Sequence, residues 1–179
     1  MSMLLARYRD AAVPALKKEF GFTNTHAVPR VQKIIVTVGL SVKNKDQKIV
    51  ETVEDTLRRI TGQRPVKTVA KKSISNFKIR KGMTVGMQVT LRGRRMFDFL
   101  EKLINLTLPR VRDFRGIPKS AVDPTGNLSL GFREHVAFPE IRPDEVERIH
   151  GLGVTVATTA RAREVGIALL THLGFPFGS

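Results

Sequence analysis

The chain has 179 residues, 41% of them apolar, which is enough to bury one core in one ordinary domain (1–179) and too little for two full domains. Lys and Arg outnumber Asp and Glu by 31 to 16, a formal charge of +15. Such a fold repels itself until a polyanion neutralises it, so nucleic acid is the first candidate partner and an anionic membrane surface the second. Cysteine is absent, which excludes disulfides, thiolate nucleophiles and cysteine-bound metals.

The opening stretch offers only Met3-Leu4-Leu5-Ala6 before Arg7, short of the apolar core of a signal peptide. Met3 to Phe20 is expected to form a helix, with Leu4, Leu5, Tyr8, Ala12, Leu16 and Phe20 on one face, a kink at Pro14 and a stop at Gly21. Val31 to Val38 is β-branched and ends at Gly39, as a strand does. A second helix is expected from a cap at Asn44, with Gln47 three residues on, to a stop at Gly62. Its buried stripe is Ile49, Val50, Val53, Leu57 and Ile60.

Two strands follow, Val66 to Ala70 and Met83 to Leu91, on either side of the polar basic span Lys71 to Gly82. In the second, Met83, Val85, Met87, Val89 and Leu91 alternate with Thr84, Gly86, Gln88, Thr90 and Arg92, so one face is buried and the other is polar and open to a ligand. A third helix is expected from Arg94 to Leu108, stopped by Pro109, with Met96, Phe97, Leu100, Leu103, Ile104 and Leu108 as its stripe. The charges at Asp98, Glu101 and Lys102 keep the apolar run 96–108 from spanning a bilayer. Prolines and glycines then punctuate loops around short strands at Leu128 to Phe132 and His135 to Phe138. The chain closes with a strand from Val154 to Thr158 and a helix from Arg161 to Leu173. The expected fold is α+β: a two-layer sandwich of a mostly antiparallel sheet with helices on one face and a protruding basic loop.

The placement of charge is more telling than its sum. From Thr56 to Phe97 there is no acid, while Arg58, Arg59, Arg64, Lys67, Lys71, Lys72, Lys78, Arg80, Lys81, Arg92, Arg94 and Arg95 are all basic. A face shaped only for solubility mixes both signs. Within the stretch, Lys and Arg can neutralise phosphates, Ser73 and Asn76 can donate to phosphate or ribose oxygens, and Phe77 can either stack on a base or anchor the loop. A sheet face with a loop, and no helix-turn-helix or zinc motif, favours RNA over duplex DNA.

No catalytic constellation is present. His26, His135, His150 and His172 are scattered without metal-ligand spacing and suit surface or packing roles. Gly151-Leu152-Gly153 suits a turn into a strand rather than a phosphate loop. Glu140, Asp144, Glu145 and Glu147 form an acidic corner on a short helix expected near Pro143, able to meet a basic protein. Neither enzyme activity nor a cofactor or metal is expected. The sequons at Asn105 and Asn127 are chance matches in a cytoplasmic protein.

The run Leu57-Arg58-Arg59-Ile60-Thr61-Gly62-Gln63-Arg64-Pro65-Val66-Lys67-Thr68-Val69-Ala70-Lys71-Lys72-Ser73, then Phe77-Lys78-Ile79-Arg80 and Val89-Thr90-Leu91-Arg92-Gly93, resembles the fifth large-subunit ribosomal protein family in its bacterial form. Pro109 to Gly116, Phe138-Pro139-Glu140-Ile141 and Phe175-Pro176-Phe177 extend the resemblance over essentially the whole chain. It implies a structural constituent of the large ribosomal subunit that binds 5S rRNA in the central protuberance, beside neighbouring proteins there, and contacts 23S rRNA. The residues it assigns to 5S rRNA are Lys33, Thr37, Gln63, Arg64, Lys67, Thr90 and Arg92, with Thr37 standing where the family commonly has Asn. It implies a loop touching the P-site tRNA through Lys71, Lys72, Ser73, Asn76, Phe77, Lys78, Arg80 and Lys81. It also implies a bridge to the small-subunit protein numbered thirteen around Arg110, Arg112, Asp113, Glu134 and Asp144, with no membrane and no homo-oligomer.

Overall fold

A computed structural model describes residues 3–40, 47–142, 144 and 149–178. The expected cap at Asn44 and the corner residues Pro143, Glu145 and Glu147 lie outside the described residues. Among the described residues, five strands form one open antiparallel sheet in the order β2-β3-β1-β5-β4. They are β1 (Val31–Gly39), β2 (Val66–Val69), β3 (Thr84–Leu91), β4 (Leu128–Phe132) and β5 (Leu152–Thr158). With helices α1 (residues 3–20), α2 (Gln47–Thr61), α3 (residues 93–110) and α4 (Arg163–Leu173) the fold is α+β.

The chain divides into two compact units: Met1–Ile34 with Leu91–Leu130 and Thr155–Ser179, and Ile35–Thr90 with Gly131–Val154. The first buries Leu4, Ala12 and Leu16 of α1, Met96, Phe99, Leu100, Leu103 and Leu108 of α3, and Leu169, Leu170 and Leu173 of α4. The second buries Val53, Leu57 and Ile60 of α2 with Val36, Val38, Met87, Val89 and Val154. These cores follow the centres of the expected stripes, while Leu5, Tyr8, Phe20, Ile49, Val50 and Ile104 are only half-buried, and in α3 Phe99 is buried where Phe97 was expected.

Both helix prolines are accommodated by one device. In α1 the turn Tyr8–Ala12 is π-helical, and the Val13 N–H donates to the Tyr8 carbonyl five residues back, just ahead of Pro14. In α3 the turn Leu103–Thr107 is likewise π-helical, and the Leu108 N–H donates to Leu103 just ahead of Pro109. A widened turn leaves room for a ring that has no amide hydrogen to place. Pro109 therefore does not stop the helix, which runs on to Arg110.

Two strand expectations are corrected. His135 to Phe138 is no strand: His135–Ala137 is a 3-10 turn, because the His135 N–H and ring both turn to residue 150. Strand β5 begins at Leu152 rather than Val154, so Gly153 lies inside it. No helix among the described residues is long and apolar enough to cross a membrane.

Candidate nucleic-acid interface

Strands β2 and β3 are antiparallel, with Val66 opposite Gln88, Lys67 opposite Met87 and Thr68 opposite Gly86. Met87, Val89 and Leu91 are buried, so Gly86, Gln88 and Thr90 belong to the other face, which Val66 and Thr68 share; beyond Gly86 a bulge adds Val85 to β3 and sets Thr84 opposite Val69. The expected alternation holds from Met87 to Leu91; nearer the start of β3 it is broken by the bulge, with Gly86 buried and Met83 and Val85 half-buried. Gly86 is a close-approach position: a Cβ there would sit 2.7 Å from the Val38 carbonyl oxygen and 3.0 Å from the Thr68 hydroxyl.

The uncharged trio Thr37, Gln63 and Thr90 all lie in the second unit. Gln63 Nε2 donates to the Thr90 carbonyl at 3.4 Å, and the Thr37 hydroxyl lies 3.5 Å from the Gly153 carbonyl oxygen it donates to. Gln63 stands in the turn from α2 to β2, where Gly62, at φ 66°, takes the left-handed conformation that ends the helix. Thr61 holds that turn: its hydroxyl donates to the Leu57 carbonyl at 2.6 Å and accepts the Gln63 N–H at 3.3 Å. Sequence reasoning passed over Thr61, although a threonine in a last helical turn commonly bonds the carbonyl four residues back.

The acid-free stretch is partly neutralised by acids at its borders. Glu54 accepts from Arg64 Nε at 3.2 Å and lies 3.4 Å from Lys67 Nζ, Asp55 pairs with Arg59 at 2.7 Å, and Asp98 lies 3.8 Å from Arg94. Burial raises the Glu54 carboxyl, but the hydrogen bonds and charges of Arg64 and Lys67 outweigh it and hold its pKa below the ordinary carboxylate value. Arg64 and Lys67, both assigned to 5S rRNA by resemblance, are thus engaged with α2, and Lys67 leaves the free face. Lys33 is half-buried on β1, and Arg92 is exposed just past β3.

Between β2 and β3 the chain folds back on itself. Ile74 and Ile79 exchange both backbone hydrogen bonds, at 2.9 and 3.1 Å, and close the turn Ser75 to Lys78 with Lys78 at φ 51°. At the base, Ala70 donates to Met83 at 2.8 Å and accepts from Gly82 at 2.9 Å. The Ser73 hydroxyl accepts the Lys81 N–H at 3.0 Å. Residues 71–78 and 80–82 are exposed, so Lys71, Lys72, Lys78, Arg80, Lys81 and Asn76 all meet solvent. Phe77 is 64% exposed and packs on no core, whereas Tyr8 is half-buried and its hydroxyl donates to the Pro29 carbonyl at 3.1 Å.

Arg110, Arg112 and Asp113 are exposed at and beyond the end of α3 in the first unit. Glu134 and Asp144 are exposed in the second, and Glu140 is half-buried. Near Glu134, the rings of His135 and His150 stack with centroids 4.0 Å apart and planes 7° from parallel. The His150 N–H donates to His135 Nδ1 at 3.2 Å and the His135 N–H to the His150 carbonyl at 3.1 Å. Among the described residues, no group of three or more His, Asp and Glu side chains is gathered to hold a metal.

Two family models match this chain: one described as ribosomal protein L5 over residues 24–80, and one described as the ribosomal L5P family C-terminus over residues 84–177. The chain is 48% identical over 177 residues to the large ribosomal subunit protein uL5 of Halothermothrix orenii, covering 99% of each. It is 51% identical over 174 residues to uL5 of Microcystis aeruginosa, covering 97% of each. With uL5 of Thermotoga maritima it shares 48% over 171 residues, covering 96% of this chain and 93% of the other.

Proposed function

Since the chain belongs to the uL5 family of large-subunit ribosomal proteins, structural rather than enzymatic, we propose that it binds 5S rRNA through the free face of its sheet and attaches that RNA to the subunit in the central protuberance. One observation carries this reading. Gln63 is held against Thr90 by its own side chain, on a turn that Thr61 fixes, so an uncharged donor and acceptor set is already in position before any ligand arrives. A preorganised neutral set suits a permanent, specific RNA, since charge contributes mainly the sequence-independent part of binding.

The exposed hairpin from Lys71 to Gly82 suits a different ligand. Lysines hold phosphate as point charges, without a rigid fork, and a contact of that kind fits the P-site tRNA, which must arrive and leave. Arg92, Lys33 and the exposed arginines beyond β3 are assigned to 5S and 23S rRNA. Arg110, Arg112, Asp113, Glu134 and Asp144 are assigned to a polar bridge toward the small-subunit protein numbered thirteen, beside other proteins of the protuberance. Their exposure and mixed sign support a small contact between subunits that move.

The test is direct. Purified protein, titrated with labelled 5S rRNA in moderate salt with excess bulk tRNA as competitor, is expected to retain the 5S rRNA. Equal displacement by tRNA or by duplex DNA would replace this reading with that of a general polyanion binder.

A further inference from the structure

We propose that residues 175–178 act as a clasp that holds the arginine loop 111–115 in one conformation. Gly116, Ile117 and Gly178 are then positioning residues for the surface assigned above to the small subunit, an inference that rests on that bridge reading. The loop leaves α3 at Arg110, where the Val111 N–H donates to the Leu108 carbonyl at 3.2 Å. It ends on the clasp. The Ile117 N–H donates to the Pro176 carbonyl at 2.8 Å, the Gly178 N–H donates to the Ile117 carbonyl at 3.0 Å, and Ile117 and Phe177 form a parallel bridge. The clasp is itself fixed to the end of α4, since the buried Phe175 donates its N–H to the Leu170 carbonyl at 3.0 Å. All of these residues lie in the first unit.

Two glycines let these segments meet backbone to backbone. A Cβ on Gly116 would lie 2.6 Å from the Gly178 nitrogen, and Gly116 has φ 99°. A Cβ on Gly178 would lie 3.2 Å from the Arg115 carbonyl oxygen. Between the fixed ends, Asp113 takes φ 53°, a left-handed conformation that a residue with a side chain keeps only where the chain around it is held. Arg110, Arg112, Asp113 and Arg115 are exposed. No carboxylate among the described residues pairs with Arg110, Arg112 or Arg115, so side-chain ion pairs do not set the loop. The anchors at its two ends do, with the half-buried Val111 and Phe114 between them. A small polar contact offers little to offset the ordering of a loose loop. With the backbone fixed beforehand, only the arginine side chains remain to be ordered when the partner arrives.

The experiment uses large subunits reconstituted with the wild-type chain, Gly116→Ala, Gly178→Pro or R110Q/R112Q. Gly116→Ala sets a Cβ against the Gly178 backbone, and Gly178→Pro removes the N–H that the Ile117 carbonyl accepts. Hydrogen exchange of the Ile117 amide in the free chain reads the clasp, 5S rRNA binding reads the rest of the protein, and affinity for small subunits reads the surface. In both glycine variants the exchange is expected to be about tenfold faster, the scale of one lost backbone hydrogen bond. Binding of 5S rRNA should be unchanged, and subunit joining should weaken about as much as in R110Q/R112Q. Should one glycine variant fail to fold, the other decides. Wild-type exchange in a folded variant would overturn the clasp. Faster exchange with wild-type joining, while R110Q/R112Q joins poorly, would overturn its role in positioning the loop. Wild-type joining by R110Q/R112Q would instead overturn the bridge reading, and the role given to the clasp with it.

Discussion

Val69 pairs with Thr84, one residue short of the Val85 that an even register would give it. That slip lies beside Gly86, whose missing side chain lets the Val38 carbonyl and the Thr68 hydroxyl close over the same position. Gly86 is therefore fitted between the backbone of β1 and the Thr68 side chain of the edge strand β2. Gly86 is buried by that closure, and Gln88 and Thr90 follow further along β3.

Replacing Gly86 with Ala tests that fit. The new Cβ would lie 2.7 Å from a backbone oxygen, which cannot rotate away, so the strands must part. A loss of roughly 1–3 kcal/mol is expected, in the range of overpacked sites, measured as a lower urea midpoint at unchanged slope. Wild-type stability would show that the backbone yields without cost.

Gln63 and the hairpin lysines should separate two functions. Gln63→Ala is expected to weaken 5S rRNA binding with the salt slope unchanged. Thr90→Ala should cost less, because Gln63 donates to the Thr90 carbonyl, which the substitution keeps. Replacing Lys71, Lys72, Lys78 and Lys81 together is expected to spare 5S rRNA and weaken tRNA protection in footprinting of the P site. Loss of 5S rRNA from the lysine variant would refute this division.

Glu54 restrains two cations. Glu54→Gln removes the negative charge that engages Arg64 and Lys67, so both become available to phosphate. Binding of non-cognate RNA at low salt should tighten, and its log–log salt slope should steepen by about 0.7 for each new single-strand contact. A slope equal to wild type would mean that the two side chains stay where they are.

The stacked histidines make stability depend on pH. Burial, then the charge of His135, lowers the His150 pKa to about 4, and burial lowers that of His135 against a weaker upward pull from its bond to His150 and from Glu134. With both folded values below the unfolded one near 6.5, the unfolded chain binds more protons as the solution is acidified. The contribution is whole above pH 6.5 and lost progressively as pH falls toward 4. Thermal melts should show a fall between pH 7 and pH 5 that shrinks in His150→Phe, which keeps a ring and cannot titrate. An identical pH profile in the two proteins would remove the pair as its source.

Much of this protein is written in local pattern. Period-two alternation from Thr84 to Leu91 and the stripe Val53, Leu57 and Ile60 depend only on which side of an element is apolar, and burial followed them. The acid-free run was legible from residue chemistry alone, whereas the trio Thr37, Gln63 and Thr90 was singled out only by resemblance. Other features depend on partners distant in sequence. The engagement of Arg64 and Lys67 needed Glu54, ten residues or more away on another element. The turn at His135 needed His150, and the passage of helices through Pro14 and Pro109 needed turns that no residue pattern announces. Strand propensity marked β3 as extended, but a bulge is a property of two strands together, so only the tertiary structure could decide that β3 carries an extra residue, Val85, opposite the step from Thr68 to Val69. The sequence by itself settled which residues are apolar, basic or neutral and polar. The fold settled which of the cations in the acid-free stretch are spent on neighbouring acids and which are left facing outward, because that choice is made by distances between elements and not along the chain.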